Sequence, residues 1–248
     1  SAALAYILLA GWAIALVVQL FRYAHFRLDQ EEDLLMIRRG LIYPHLRIFR
    51  SSRICALSIR QTLLMRLFRL SSGYVHNIGS GKDKGDRSML VAASSRDNLY
   101  CLLRSVAPWF PPSFAEPIRP NRGSLKSYLL IPFCCAAGFF IVLLFPYLLG
   151  AYSQLFSFSA VFAAPFFLWW GALRWVAWRT SGLCFQDHVW VIRSYRRLTL
   201  YTTVIPQDRI QMVSLTQNPF QKRSHRCNLR FFLYAESRET FVVKQLDL

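Results

Sequence analysis

Residues 127–173 read SYLLIPFCCAAGFFIVLLFPYLLGAYSQLFSFSAVFAAPFFLWWGAL. These 47 residues, Ser127 to Leu173, hold no Asp, Glu, Lys or Arg and are bounded by Lys126 and Arg174. About 20 apolar residues of helix cross the hydrocarbon core of a bilayer, so an uncharged run of this length holds two spans. It reads as a helical hairpin with spans near 127–148 and 155–175. Its tip is expected at Gly150-Ala151-Tyr152-Ser153-Gln154, the most polar and turn-prone part of the run. Both flanks then face the same side of the membrane.

The charge distribution gives that side a direction. The chain has 54% hydrophobic residues, yet 30 Lys and Arg against 13 Asp and Glu, a formal net charge of +17. All the basic residues lie in 22–126 or from Arg174 onward, while the hairpin and the first 21 residues have none. Basic residues close to span ends set orientation, and here these are Arg22, Arg27, Arg119, Arg122, Lys126, Arg174 and Arg179. Both flanks are therefore expected in the cytoplasm, beside a membrane crossed several times. No motif that reads nucleic acid accompanies the charge, so no nucleic-acid partner is expected.

Outward from the hairpin, residues 1–22 form another apolar segment, uncharged through Phe21 and ended by Arg22, long enough to span. A signal peptide fits it poorly, because no basic region precedes a long apolar part. A lone span ahead of a hairpin puts the N-terminus outside, so the chain reads as a piece of something longer. Residues 23–108 read as a strand-rich domain, with β-type runs at 34–37, 42–49, 53–59, 72–78 and 87–93. Ser95 to Val106 reads as a closing helix, with Asp97 in its first turn and Leu99, Leu102, Leu103 and Val106 as its apolar stripe. Five prolines between Pro108 and Pro120 make 109–126 a stiff connector, whose Trp109, Phe110 and Phe114 are expected at headgroup level. The hairpin segment is 127–178, with Trp169, Trp170, Trp175 and Trp178 as an interfacial belt. A second strand-rich domain occupies 179–248, with runs at 183–185, 189–193, 198–204 and 240–246.

The two domains repeat one another. Arg53-Ile-Cys-Ala-Leu-Ser-Ile-Arg-Gln61 matches Arg209-Ile-Gln-Met-Val-Ser-Leu-Thr-Gln217 at an offset of 156 residues. Leu35-Met-Ile-Arg38 matches Trp190-Val-Ile-Arg193 at an offset of 155. Two matches in order argue for a duplicated domain, the second copy ending before a closing helix.

The run Val204-Ile-Pro-Gln-Asp-Arg-Ile-Gln-Met-Val213, followed by Gln217 and Gln221-Lys222-Arg223, resembles the signature of the membrane-flanked bacterial pleckstrin-homology-like (PH-like) domain family, of YdbT type. The first copy departs from it, with Ser51-Ser52 where Ile-Pro is expected and Cys55 for the first Gln. The resemblance implies an integral membrane chain in which transmembrane helices alternate with two cytoplasmic PH-like domains. Each would be a curved antiparallel sheet of about seven strands closed by a C-terminal helix. PH-like folds host lipid binding, peptide binding and assembly, so a binding or assembly role is expected, and the resemblance implies a place in a complex that resists envelope stress or antimicrobial peptides. Two alternatives stay open: an anionic-lipid headgroup binder, and an accessory subunit of a lipid or peptide export system.

No catalytic, metal or cofactor residues are expected. The five His and six Cys are scattered, without Cys-x-x-Cys, His-Glu-x-x-His or Gly-x-Ser-x-Gly. Gly79-Ser-Gly-Lys-Asp-Lys-Gly85 lacks the first Gly and the Ser/Thr of a phosphate loop and reads as a solvated hairpin loop. The acidic run Asp29-Gln-Glu-Glu-Asp33 reads as a solvated entry to the first strand, and disulfides are not expected in a reducing cytoplasm. The repeated signature residues Arg53, Ile54, Gln61, Arg209, Ile210 and Gln217 are expected to tie strand ends together. Arg66, Arg69, Lys222, Arg223, Arg226 and Arg230 are the candidates for binding lipid or a partner. The partners expected are the phospholipid bilayer, its anionic lipids in particular, and another membrane protein or a second copy of the chain.

Overall fold

A computed structural model describes residues 6, 10, 11, 27–31, 34–39, 45–77, 88–148, 153–196, 198–233 and 240–247. The expected first span at 1–22 (save 6, 10 and 11), the 79–85 loop and the hairpin tip at 150–152 lie outside the described residues.

In the first half, β1 (Arg27–Glu31), β2 (Leu34–Arg39) and β3 (His45–Arg50) form an antiparallel meander. The acidic run is therefore partly a strand, with Asp29 opposite Met36, and not only an entry to one. A 3-10 turn at Ser51–Arg53 leads into a second meander of β4 (Ile54–Thr62), β5 (Leu70–Asn77) and β6 (Ser88–Ser95). A short helix, α1 (Leu63–Leu67), connects β4 to β5. Helix α2 (Arg96–Val106) closes this half, with Asp97 in its first turn and Leu99, Leu103 and Val106 buried. It lies so close to β5 that a Cβ on Gly73 would stand 2.9 Å from Leu99 Cδ1.

The proline-rich connector turns its aromatics onto the core of the first half. Phe110 is buried, 5.8 Å from the Tyr100 ring and 5.7 Å from Phe114, while Trp109 and Phe114 pack on the same core. A rigid chain returning along its own domain buries rings there more readily than it projects them. Helices α3 (Leu125–Leu148) and α4 (Ser153–Thr180) follow, touching through Phe139 and Phe167 at 5.7 Å. Among the described residues one stretch, Arg122–Leu144, is long and apolar enough to cross a membrane. The second expected span is helical, but α4 begins with Gln154, Ser157 and Ser159 and carries Arg174 and Arg179 near its end. The exposed flanks of both helices are apolar, with Phe133, Ile141 and Val142 on α3 and Val161, Phe162 and Leu168 on α4.

The second half runs β7 (Gly182–Gln186), β8 (Val189–Arg196), β9 (Thr199–Pro206), a 3-10 turn at Gln207–Arg209, then β10 (Ile210–Thr216), α5 (Pro219–Arg223), β11 (Arg226–Leu233) and β12 (Thr240–Asp247). Strand pairing corrects the alignment of the first copy with the family signature. Leu34 faces Arg50, as Val189 faces Pro206, so Phe49-Arg50 and not Ser51-Ser52 occupy the Ile-Pro position.

The sheets are not divided as one curved sheet for each half. The described strands make two three-stranded sheets, β1-β2-β3 and β10-β11-β12, and one six-stranded sheet ordered β6-β5-β4-β9-β8-β7. The join is antiparallel, with Leu57 opposite Val204, Ser58 opposite Thr203, Ile59 opposite Thr202 and Thr62 opposite Thr199. Ile54 to Ile59 is buried on every residue, which suits a strand covered on both faces. A bulge between Ile54 and Ala56 turns Ile54, Leu57 and Ile59 toward one core, shared with Leu99, Leu103, Val191 and Val204. Ala56 faces the other, with Ile192, Ile205, Phe231 and Val243. Beside it Ser58 Oγ lies 2.7 Å from His76 Nε2 and 3.0 Å from Thr203 Oγ1. Each core therefore draws residues from both halves.

Candidate functional site

Arg66, Arg69 and Arg226 lie toward one end of the six-stranded sheet, and pairing register defines that end. Helix α4 stops at Thr180, and β7 begins at Gly182 opposite Arg193. Further along, Arg196 faces Thr199, and Thr199 also faces Thr62, which caps α1 by accepting a hydrogen bond from Met65 N–H at 3.3 Å. The α1 turn and the β8–β9 turn thus lie beside the point where α4 leaves. The second half reaches the same place through Arg226, whose Nη1 donates to Gly123 O at 3.1 Å, just ahead of α3.

The two strand-connecting turns correspond residue for residue. At an offset of 156, Thr62 matches Asn218, α1 matches α5 and Arg66 matches Lys222. Arg69 (φ 55°) matches His225 (φ 50°), both left-handed. Asn218 and Gln221 form a capping box on α5. The chemistry of the turns differs. On α1 and the turn after it, Leu63, Leu64, Leu67 and Phe68 are exposed together with Arg66 and Arg69, and Leu198 is exposed on the β8–β9 turn. On α5, Arg223 stands where Leu67 does and Ser224 where Phe68 does, with Lys222 and Arg223 exposed.

The remaining candidates are spread. Arg230 is exposed on β11, opposite Ser214, and Arg226 is half-buried and tied to the entry of α3. Of the signature residues, Gln61 Nε2 donates to Ser71 Oγ at 2.7 Å and Gln217 Nε2 to Arg226 O at 2.8 Å, each joining the two strands around its turn. Arg209 Nη2 donates to Ser52 O at 2.9 Å, across the join between halves, and its Nε lies 3.3 Å from Asp208. Arg53 is exposed, Ile54 is buried and Ile210 packs at the margin of the second core.

Sequence reasoning missed Arg60. Its guanidinium stands 3.8 Å from the Tyr74 ring centroid and 5.1 Å from that of Tyr201, a cation–π bridge between the halves. Arg60 Nε and Tyr195 Oη are buried without a hydrogen-bond partner among the described residues. Burial pushes the Tyr195 phenol up, and Arg66 pulls the other way. The signal available was Arg60 immediately before the repeated Gln61. Burial also raises the Cys55 thiol, against the pull of Arg209, so it is a poor nucleophile at neutral pH. No three His, Cys, Asp or Glu lie together as metal ligands among the described residues.

Two antiparallel meanders in each half are the architecture against which known proteins can be compared. The bacterial PH domain profile matches residues 1–99 and 130–245, one segment for each half. This chain belongs to the bacterial PH domain family. It is also 26% identical over 223 residues to the transmembrane protein YdbT of Bacillus subtilis (strain 168), an alignment that covers 87% of this chain and 42% of YdbT. The chain therefore spans under half the length of that relative. No solved structure matches it.

Proposed function

We propose that the chain is a non-enzymatic assembly module, with tandem PH-like domains at 23–108 and 179–248 held on the cytoplasmic face by several membrane spans. The observation that carries this reading is the β4–β9 join. The two halves complete each other's cores, so the protein is built to hold repeated PH-like units edge to edge. The basic flanks of the hairpin support the cytoplasmic placement. Purification from native membranes in mild detergent, with mass spectrometry of bound proteins and lipids, tests it. A stoichiometric protein partner or a stable self-assembly is the expected result, and a lone chain with neither would overturn it. Its wider place, in an envelope-stress complex or beside an export system, is read from sensitivity of a deletion strain to membrane-active peptides.

A second reading has its own observation. The α1 turn offers exposed Leu63, Leu64, Leu67 and Phe68 with Arg66 and Arg69, at the end of the sheet nearest the helices. Apolar side chains there would enter the headgroup boundary, while each nearby Arg adds about 1 kcal/mol of attraction to anionic lipid. Comparison of phosphatidylglycerol with phosphatidylcholine nanodiscs, by the enrichment of anionic lipid around the protein, tests this. Arg66→Ala with Arg69→Ala is expected to remove the enrichment, and Lys222→Ala with Arg223→Ala to reduce it. Unchanged enrichment in both pairs contradicts it.

A further inference from the structure

Strand β10 repeats β4 at an offset of 156 residues but has a different environment. Leu57 and Ile59 of β4 are 0% and 4% exposed, because β9 lies alongside. Their equivalents on β10, Val213 and Leu215, are 48% and 49% exposed. Among the described residues β10 pairs only with β11, so its other edge carries free backbone donors and acceptors beside apolar side chains. Strand β3 stands to the first half as β9 does to the second, and among the described residues it is an edge too, paired only with β2. Its Leu46 and Ile48 are 51% and 52% exposed. Among the described residues the strands thus leave a β4-type edge exposed on one side and a β9-type edge exposed on the other.

We propose that β10 of one chain pairs antiparallel with β3 of a second copy of this chain, repeating between molecules the β4–β9 join made within each. The internal register says which residues would meet. Leu57 opposite Val204 becomes Val213 opposite Ile48, Ser58 opposite Thr203 becomes Ser214 opposite Arg47, and Ile59 opposite Thr202 becomes Leu215 opposite Leu46. The four exposed apolar side chains fall directly against one another, two by two, without adjusting the register. Directly opposed residues have Cβ atoms about 4.5–5.5 Å apart, so both pairs would bury each other. Main-chain pairing supplies affinity and the apolar pairs supply specificity, as in other strand-addition complexes. An exposed apolar edge without a partner invites indiscriminate pairing, and a β3 edge of matching register satisfies it. The contact is heterologous, head to tail, and so extends to a ring or a row of copies in the membrane plane.

This deepens the assembly reading by naming the partner, and the experiment separates the two. Val213→Cys and Ile48→Cys are made in separate chains carrying different tags, in a background with the exposed Cys101, Cys134 and Cys135 changed to Ser. The two are co-expressed in native membranes and treated with a short bismaleimide. A mixed-tag cross-linked dimer is expected from this pair and from Leu215→Cys with Leu46→Cys. It should disappear when the other apolar residue of the same β10 is changed to Lys, Leu215→Lys beside Val213→Cys or Val213→Lys beside Leu215→Cys, with the thermal unfolding of the single chain unchanged. No mixed dimer from folded protein overturns the proposal, as does a cross-link of Val213→Cys to itself alone. A stable complex in which β10 is cross-linked to a different protein keeps the assembly reading and overturns this one.

Discussion

If the two halves truly share one sheet, a hydroxyl removed from the first must be felt by the second. Ser58 and Thr203 sit opposite each other on β4 and β9, both buried, with Oγ to Oγ1 at 3.0 Å and His76 Nε2 2.7 Å from Ser58. Ser58→Ala leaves His76 and Thr203 with one contact fewer in a site closed to water, a cost of about 1–3 kcal/mol. Thr203→Val keeps the shape and removes one hydrogen-bonding group, costing about 1 kcal/mol. Because both changes break the same bond, the double variant should be less destabilised than the sum, by about 0.5–1.5 kcal/mol. Urea unfolding in detergent micelles measures this through tryptophan fluorescence. Trp190, packed 5.6 Å from Phe231, reports on the second half. Additivity to within about 0.3 kcal/mol would refute the shared network. So would a Ser58→Ala protein whose Trp190 transition does not move.

Three further outcomes follow from the same geometry. Gly73→Ala places a methyl 2.9 Å from Leu99 Cδ1 in a filled core, and is expected to lower unfolding free energy by about 1–3 kcal/mol in the same urea experiment. Cys55 should resist maleimide at pH 8 while Cys101 reacts. Because its folded-state pKa is raised above the ordinary thiol value of 9.0, its contribution to stability is constant below pH 9.0 and falls as pH rises beyond it, which a pH series of melting temperatures detects. Arg226→Ala removes the bond to Gly123 O and is expected to cost about 1–2 kcal/mol, visible as earlier proteolysis of the 109–126 connector.

Local patterns carried much of this fold. The alternating runs and the Ser95–Val106 stripe became strands β2 to β9 and helix α2 with ends shifted by a few residues, because side-chain periodicity and capping are local properties. The family signature was legible for the same reason. The β4–β9 join was not, since edge pairing between segments some 140 residues apart leaves no periodic trace. One hint was present in the departure from the signature. Cys55 replaces the Gln that stands at 211, and that position is buried in β4 but exposed in β10. A polar amide cannot be left unpaired in a closed core, so the substitution marks the covered strand. The candidate basic residues were legible as exposed charge, whereas the apolar character of α1 and the role of Arg226 depended on which turn faces the helices. Phe110 belongs to the core and not to a headgroup layer, because aromatic residues beside an apolar helix have the same composition whether they meet lipid or a domain core.

The most direct test of the shared sheet is cross-linking within one chain. Gln61→Cys and Leu200→Cys, opposed in register across the join and both half-buried, are introduced together in the background lacking exposed cysteines, with a protease site in the 109–126 connector. After treatment in native membranes and cleavage, the two fragments should remain covalently joined in a monomer-sized species. Fragments that separate, or that are joined only between chains, would contradict a single sheet built from both halves.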